Sequence, residues 1–197
     1  MDIPVFPLNG AILFPRTNLP LNIFEKRYLK MVDFSLANNR LIGMIQTDKN
    51  GDFFHIGCYG KITNFNEADD GRYHINLEGI SRFKIKEIKK NRNEFILANV
   101  ENLNDKENFA GKDLSFNQKL IVKFKNYLKA KKIKINTSDF ESLNALNLAK
   151  IICVICPLDY LTKQMLLESN DSKDFCESLI SVLDIETNNM GENTKIN

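Results

Sequence analysis

The sequence predicts an α+β chain: a β-rich amino-terminal lobe with one helix, about residues 1–102, a polar linker at 103–111, and a four-helix lobe at about 112–186. Three observations carry this. Pro4, Pro7, Pro15 and Pro20 stand among apolar neighbours near the amino terminus, and each fixes φ and removes a backbone donor, so no helix forms there. Residues 41–100 hold short apolar or alternating runs separated by Gly, Asn and Asp turns, the signature of strands. Beyond the linker the apolar residues recur at helical spacing instead.

The proline-bearing segment is expected to run as extended edge pieces and tight turns laid along a β-core, because proline is excluded from central strands. After it, Phe24, Tyr28, Met31, Val32 and Leu36 mark one face of a helix from Glu25 to Ala37, with Glu25 suited to the positive end and Asn38-Asn39 a stop. Leu41–Gln46 reads as a buried strand, and Asn50-Gly51 as a hairpin turn. Cys58–Phe65 is the next strand, with Ile62 inward, and Asp69-Asp70-Gly71 turns the chain again. In Arg72–Glu78, Tyr73, Ile75 and Leu77 alternate with Arg72, His74, Asn76 and Glu78, which puts the first set inward. Gly79 interrupts this, and Phe83, Ile85 and Ile88 resume in shifted phase, which predicts a bulge or bend at Gly79 or Glu87. Asn91–Asn93 is turn-like and Phe95–Val100 a further strand. About six strands with short turns predict a small barrel or folded sheet.

In the second lobe Leu120, Ile121, Phe124, Tyr127 and Leu128 form one helix face, opposite Lys119, Lys123, Lys125 and Lys129. Ser138–Glu141 reads as a capping box that starts a helix at about Asp139, its apolar residues running from Phe140 to Cys156. Pro157 stops it. Asp159 can cap a short helix holding Lys163–Glu168, and Asp171 or Ser172 can cap a last one whose inner face is Phe175, Leu179, Val182 and Leu183. Residues 187–197 are polar without periodicity and predict a disordered tail.

Several separated motifs together resemble one known family. They are Pro-Leu at 7–8, Leu-Phe-Pro at 13–15, Leu-Pro-Leu at 19–21, Ile-Phe-Glu-x-Arg-Tyr at 23–28 with Met31, Asp70-Gly71-Arg72-Tyr73 leading through Gly79 to Arg82-Phe83, and Lys163-Gln164-x-Leu166-Leu167-Glu168. From Ile3 to Leu183 the chain resembles the Lon protease amino-terminal (LON substrate-binding) domain family, as a stand-alone member. The resemblance implies a PUA-like β pseudobarrel followed by a helical bundle. It further implies a non-catalytic protein that binds unfolded or peptide segments or docks to a protease or chaperone, with weak homo-oligomerisation left open. Arg16-Thr17 stands where the family pattern leads one to expect a tight Pro-Gly-like turn.

The composition bounds the rest. A chain of 197 residues, 43% hydrophobic, can bury a core. Asp2 and the prolines interrupt any export-signal pattern, and no apolar run approaches the ~20 residues of a membrane span, so a cytoplasmic protein is expected. Cys58, Cys153, Cys156 and Cys176 then stand as reduced thiols. Cys153-Val-Ile-Cys156 has redox spacing, but its aliphatic surroundings favour buried, inert thiols. No G-x-x-x-x-G-K-[ST], G-x-S-x-G or G-x-G-x-x-G run occurs, and His55, Cys58 and His74 are a weak ligand set, so no enzyme, cofactor or metal is expected.

What remains is binding. The candidates for taking polypeptide are Phe14, Leu19, Phe24 and Tyr28, with Glu25, Arg27 and Arg82 as motif polar residues in which Glu25 caps the helix or pairs with either arginine. The alternative is RNA binding on Lys119, Lys123, Lys125 and Lys129, within a stretch from Lys112 to Lys134 that sets eight lysines against one aspartate in a chain of net charge +2. Phe124 and Tyr127 lie on the apolar face, which leaves the lysines without interleaved exposed rings for bases to stack on and makes nucleic acid the weaker partner.

Overall fold

A computed structural model describes residues 1–89, 94–103, 114–140 and 142–193, of which the side chains at 114–115 and 190–193 are not described. The Asn91–Asn93 turn, the linker from 104 onward, Lys112 and Glu141 lie outside this set. The order of elements is β1 (Asp2–Pro7), β2 (Asn18–Ile23), α1 (Lys26–Ala37), β3 (Leu41–Ile45), β4 (Ile56–Glu67), β5 (Tyr73–Lys89), β6 (Ile96–Leu103), α2 (Leu114–Ala130), α3 (Ala145–Ile155), α4 (Tyr160–Leu167) and α5 (Ser172–Asn193). The chain forms two compact units, Met1–Asp105 with Asp159–Leu167, and Lys106–Leu158 with Glu168–Asn197.

In the first unit β1, β3, β4, β5 and β6 close a ring. The strand order β5-β4-β3-β1-β6 is joined end to end by the β5–β6 pairing, and β2 is added outside on β5. The length of β5 makes this possible: Tyr73–Glu78 pairs with β2, Arg82–Lys89 pairs with β6, and β4 runs beside both halves. Ile3, Val5, Ile45, Tyr59, Phe83, Ala98 and Val100 fill the core. Gly43 and Gly57 leave the room that the fully buried Phe83 ring needs, since a Cβ on Gly57 would stand 2.3 Å from the Met44 carbonyl oxygen and 2.7 Å from Phe83 Cζ.

The prolines are placed differently from the expectation. β1 carries Pro4 and Pro7 and yet has a strand on each side, β6 and β3. Its two partners overlap only at Val5. Met1 and Val100 exchange both backbone bonds at 2.8 Å, so alternation turns the nitrogen of Pro4 away from β6 and toward β3, whose pairing starts one residue later. Leu8 donates to Ile45 O, so the nitrogen of Pro7 faces the side where β6 has already ended. Neither missing donor is missed. Pro20 does lie on an edge, for β2 pairs with β5 alone.

Two ladder irregularities lie next to the expected positions, one at Ile80 opposite Tyr59 and Gly60, the other at Lys86. Phe83 and Ile85 keep the parity of Ile75 and Leu77, contrary to the expected phase shift, and Ile88 alone turns outward. The first bulge presses β5 against the turn before β2. Gly79 donates to Thr17 O and accepts from Arg16 N, both at 2.8 Å, and a Cβ on Gly79 would fall 2.1 Å from Phe14 O. The turn itself is tight without glycine: Arg16 takes φ 66°, and Thr17 Oγ1 donates to Phe14 O at 2.8 Å.

The helix expected over Lys163–Glu168 is α4, and it belongs to the barrel unit rather than to the second lobe. Three barrel contacts hold it. Gln164 Nε2 donates to Ile56 O at 2.9 Å, Arg82 Nη1 donates to Leu167 O at 2.8 Å, and Gln46 Nε2 reaches Tyr160 O at 3.4 Å. Leu166 and Leu167 are buried.

In the second unit Leu120, Phe124, Tyr127, Leu128, Leu148, Ile152, Cys153, Phe175, Cys176, Leu179 and Leu183 make the core. α2 packs on α5 and α3. The expected capping box does not start a helix: Ser138–Phe140 is a 3-10 turn whose serine hydroxyl turns back to Asn136 Oδ1 at 2.9 Å. α3 starts at Ala145, where Asn144 Oδ1 accepts from Asn147 N at 2.9 Å. The expected disordered tail is also corrected, because α5 continues through Thr187 to Asn193. Lys131 Nζ holds Glu186 at 2.8 Å and the Thr187 hydroxyl bonds to Leu183 O at 2.6 Å, which ties down the turn where polarity alone suggested disorder. Residues 194–197 lie outside the described set.

Candidate functional site

Period-two alternation along β2 sends Leu21 and Ile23 inward and Asn22 outward. Phe24 follows as the next outward position. Glu25 is still extended at φ −74°, ψ 130°, and α1 turns away from it. A phenylalanine is thereby left at a strand–helix junction with 66% of its surface in solvent, more than any other large apolar side chain among the described residues. Beside it Phe6, Leu8, Leu21, Asn22, Ile23, Glu25 and Tyr28 enclose a slot of about 100 Å³. Two of its lining rings pack on each other, Phe6 and Tyr28, with centroids 4.3 Å apart at 45°.

The rim is charged. Arg27 reaches Glu25 Oε2 through Nε at 3.0 Å and through Nη2 at 2.9 Å, and its guanidinium lies 4.5 Å from the centre of the Tyr28 ring. Burial pushes the Tyr28 phenol above its ordinary value; the Arg27 charge opposes this and the Glu25 charge adds to it. Both rim side chains are about half exposed, so the pair contributes orientation more than energy. The arrangement can accept an apolar side chain into the slot and a polar backbone across the rim. It brings together no nucleophile and base.

The four apolar candidates separate. Phe24 and Tyr28 meet at the slot, one exposed at its mouth and one buried beneath it. Leu19 is half-buried, paired with Leu77, and outside the lining. Phe14 is corrected: at 1% exposure it is core, locked by the Thr17 turn and the Gly79 contact, so it offers no surface to a ligand. Of the polar trio, Glu25 pairs with Arg27 and makes no side-chain cap, while Arg82 serves α4. Phe6, Leu8, Leu21 and Ile23 complete the slot. The alternation at residues 18–23, obscured by its proline, is the signal that could have placed the last two inward; nothing local in the sequence brings β1 to their side.

On α2, Lys119, Lys125 and Lys129 are exposed, whereas Lys123 is held by Asp184 at 2.7 Å. Phe124 and Tyr127 are buried. All four cysteines are buried free thiols, and burial pushes the Cys176 thiol up to about 12. Cys58 stands opposite Arg82, and His74 opposite Asn66 toward the other end of β5, so these two residues of the weak ligand set are kept apart. Among the described residues no three His, Cys, Asp or Glu side chains are grouped to hold a metal ion, and no helix is long and apolar enough to cross a membrane.

The architecture is α+β, with one strand-rich and one helical unit. It is shared with the Lon N-terminal domain protein of Xanthomonas campestris (TM-score 0.71, 20% identity, 92% of this chain and 98% of that one) and with the N-terminal domain of the Mycobacterium avium complex Lon protease (TM-score 0.74, 17% identity, 93% and 98%). Residues 2–184 match the family described as the ATP-dependent protease La (LON) substrate-binding domain, and the chain belongs to that family. Among its relatives are the Lon proteases of Buchnera aphidicola subsp. Baizongia pistaciae, 27% identical over 198 residues, and of Escherichia coli K12, 25% identical over 197. Each alignment takes in 94% of this chain and 25% of the relative, so the chain spans about a quarter of the length of these proteases.

Proposed function

We propose that this chain is a non-catalytic substrate-binding domain that takes apolar side chains of unfolded or peptide segments into the slot at the β2–α1 junction, and through such segments can dock to a protease or chaperone. The observation that carries the reading is Phe24, exposed beside a slot lined mainly by apolar side chains, with Asn22 and Glu25 the polar ones. Burying an aromatic side chain there is worth about 2 kcal/mol, enough for weak, sequence-tolerant capture. The family description, a substrate-binding domain, supports the same role. The PUA-like kinship of the barrel and residence in a reducing cytoplasm, where four buried thiols stay free, are parts of the same reading.

Fluorescence anisotropy with a labelled unfolded polypeptide tests it, run at low and moderate salt beside a labelled single-stranded RNA. Polypeptide binding should survive salt and weaken about tenfold in Phe24→Ser, the loss of roughly 1.4 kcal/mol expected when part of an apolar anchor is removed. Binding unchanged in Phe24→Ser would sink the slot as the site. RNA binding that collapses with salt and is lost when Lys119, Lys125 and Lys129 become Glu would move the function to α2.

A further inference from the structure

A groove of about 470 Å³ lies in the second unit, where the last turns of α2 face the non-helical segment 133–137. We propose that it is a second docking site, for an acidic polypeptide segment bearing aliphatic side chains. Three features carry this. Leu128, Ile133 and Ile135 give the groove an aliphatic floor, and Lys125, Lys129 and Lys134 line it. The lysine-rich stretch is also divided by side. Toward α5 its charges are already matched, Lys123 by Asp184 and Lys131 by Glu186, whereas Lys129 and Lys134 in the groove have no carboxylate partner among the described residues. The charge left over is a local excess aimed at whatever occupies the groove.

The third feature is backbone. The amides of Lys134, Ile135 and Asn136 donate to no carbonyl among the described residues, so a second chain lying along them would find donors in place. This favours a polypeptide over a nucleic acid. An RNA would need ring faces beside the groove lysines, and the aromatic residues in these last turns of α2, Phe124 and Tyr127, are 1% and 0% exposed, while Phe116, the helix's third ring, stands nine positions before Lys125. An acidic segment uses all three features at once: carboxylates on the lysines, leucine-sized side chains on the floor, carbonyls on the amides. The site is independent of the Phe24 slot.

Anisotropy of the whole chain with a short labelled peptide of Glu, Asp and Leu tests the proposal. The controls are the same peptide with Ser for Leu, one with Lys for Glu and Asp, and a single-stranded RNA of similar length. The acidic Leu peptide should bind, bind about tenfold more weakly in the double variant Lys129→Glu/Lys134→Glu, and be unaffected by Phe24→Ser. The basic peptide should gain affinity for the double variant, which shows by a gain of function that the altered protein is folded. Equal affinity of wild type and double variant would overturn the proposal. So would equal binding of the Ser peptide, which removes the role of the floor, tighter binding of the RNA, or loss of acidic-peptide binding in Phe24→Ser.

Discussion

At the scale of single residues, backbone conformation exposes what side-chain pattern hides. α2 ends in a Schellman motif: Ile133 N bonds to Leu128 O at 2.9 Å and Lys132 N to Lys129 O at 3.2 Å, with Lys132 at φ 56°. A Cβ is unfavourable in that left-handed region, and the Lys132 side chain is exposed, so it gives little back. Lys132→Gly should therefore raise stability by about 0.5–1 kcal/mol, the relief of strain exceeding the added flexibility of the unfolded chain. Urea unfolding with an unchanged m-value and a higher midpoint would show it; a lower midpoint would mean that Lys132 contributes packing not visible in its contacts. Arg16 is the parallel case. The sequence signalled a departure from a glycine turn there, but not that the arginine would adopt the glycine conformation.

Among the elements, α4 shows how a short helix becomes a defined one. Eight residues do not hold a helix in water. Asp159 supplies the missing partners at its amino end: Oδ1 accepts from Leu161 N and Thr162 N, each at 3.0 Å, and Oδ2 accepts from the Thr162 hydroxyl. These bonds, that of the Thr162 hydroxyl first, hold the carboxyl below the ordinary aspartate value. A depressed folded-state pKa contributes stability that is fully present above the unfolded value of about 3.9 and is lost as pH falls through the folded one. Asp159→Ala should thus cost about 1 kcal/mol at pH 7, and the difference from wild type should shrink as the pH is taken below about 4. Urea midpoints of both proteins across that pH range decide it; a gap that stays constant would show that the cap acts through shape and not charge. This cap was legible in the sequence, as were the strands at 41–46 and 72–78 and the Tyr28, Met31 and Val32 part of the α1 face; Phe24, which the same spacing put on that face, instead precedes the helix and is exposed. Those features are local. The capping box at Ser138 starts no helix: its serine hydroxyl donates to Asn136, and the helix begins only at Ala145. The doubly flanked β1 was illegible because the gaps in its ladders depend on where two distant strands begin and end.

For the whole molecule, the order along the chain is not the order of packing. The barrel is completed by residues that arrive only after α2 and α3 of the helical unit have been passed, since Asp159–Leu167 packs with Met1–Asp105. Sequence reading placed α4 with the helices around it because helical period reports a buried face and says nothing of what buries it. Gln164 and Arg82 carry the answer, as long-range bonds from α4 to Ile56 and from β5 to Leu167. A fragment of residues 1–105 should accordingly be a barrel with an apolar scar. It loses the burial of Leu166 and Leu167, worth about 3–6 kcal/mol together, and leaves the Ile56 carbonyl without its Gln164 donor. Against a usual total of about 5–15 kcal/mol, that loss brings the fragment close to unfolding. A synthetic peptide covering residues 157–168 should raise its urea midpoint in a concentration-dependent way, and the same peptide with Gln164→Ala should raise it less. If the fragment alone is as stable as the full chain, or ignores the peptide, α4 is a passenger on the barrel and the barrel ends with β6.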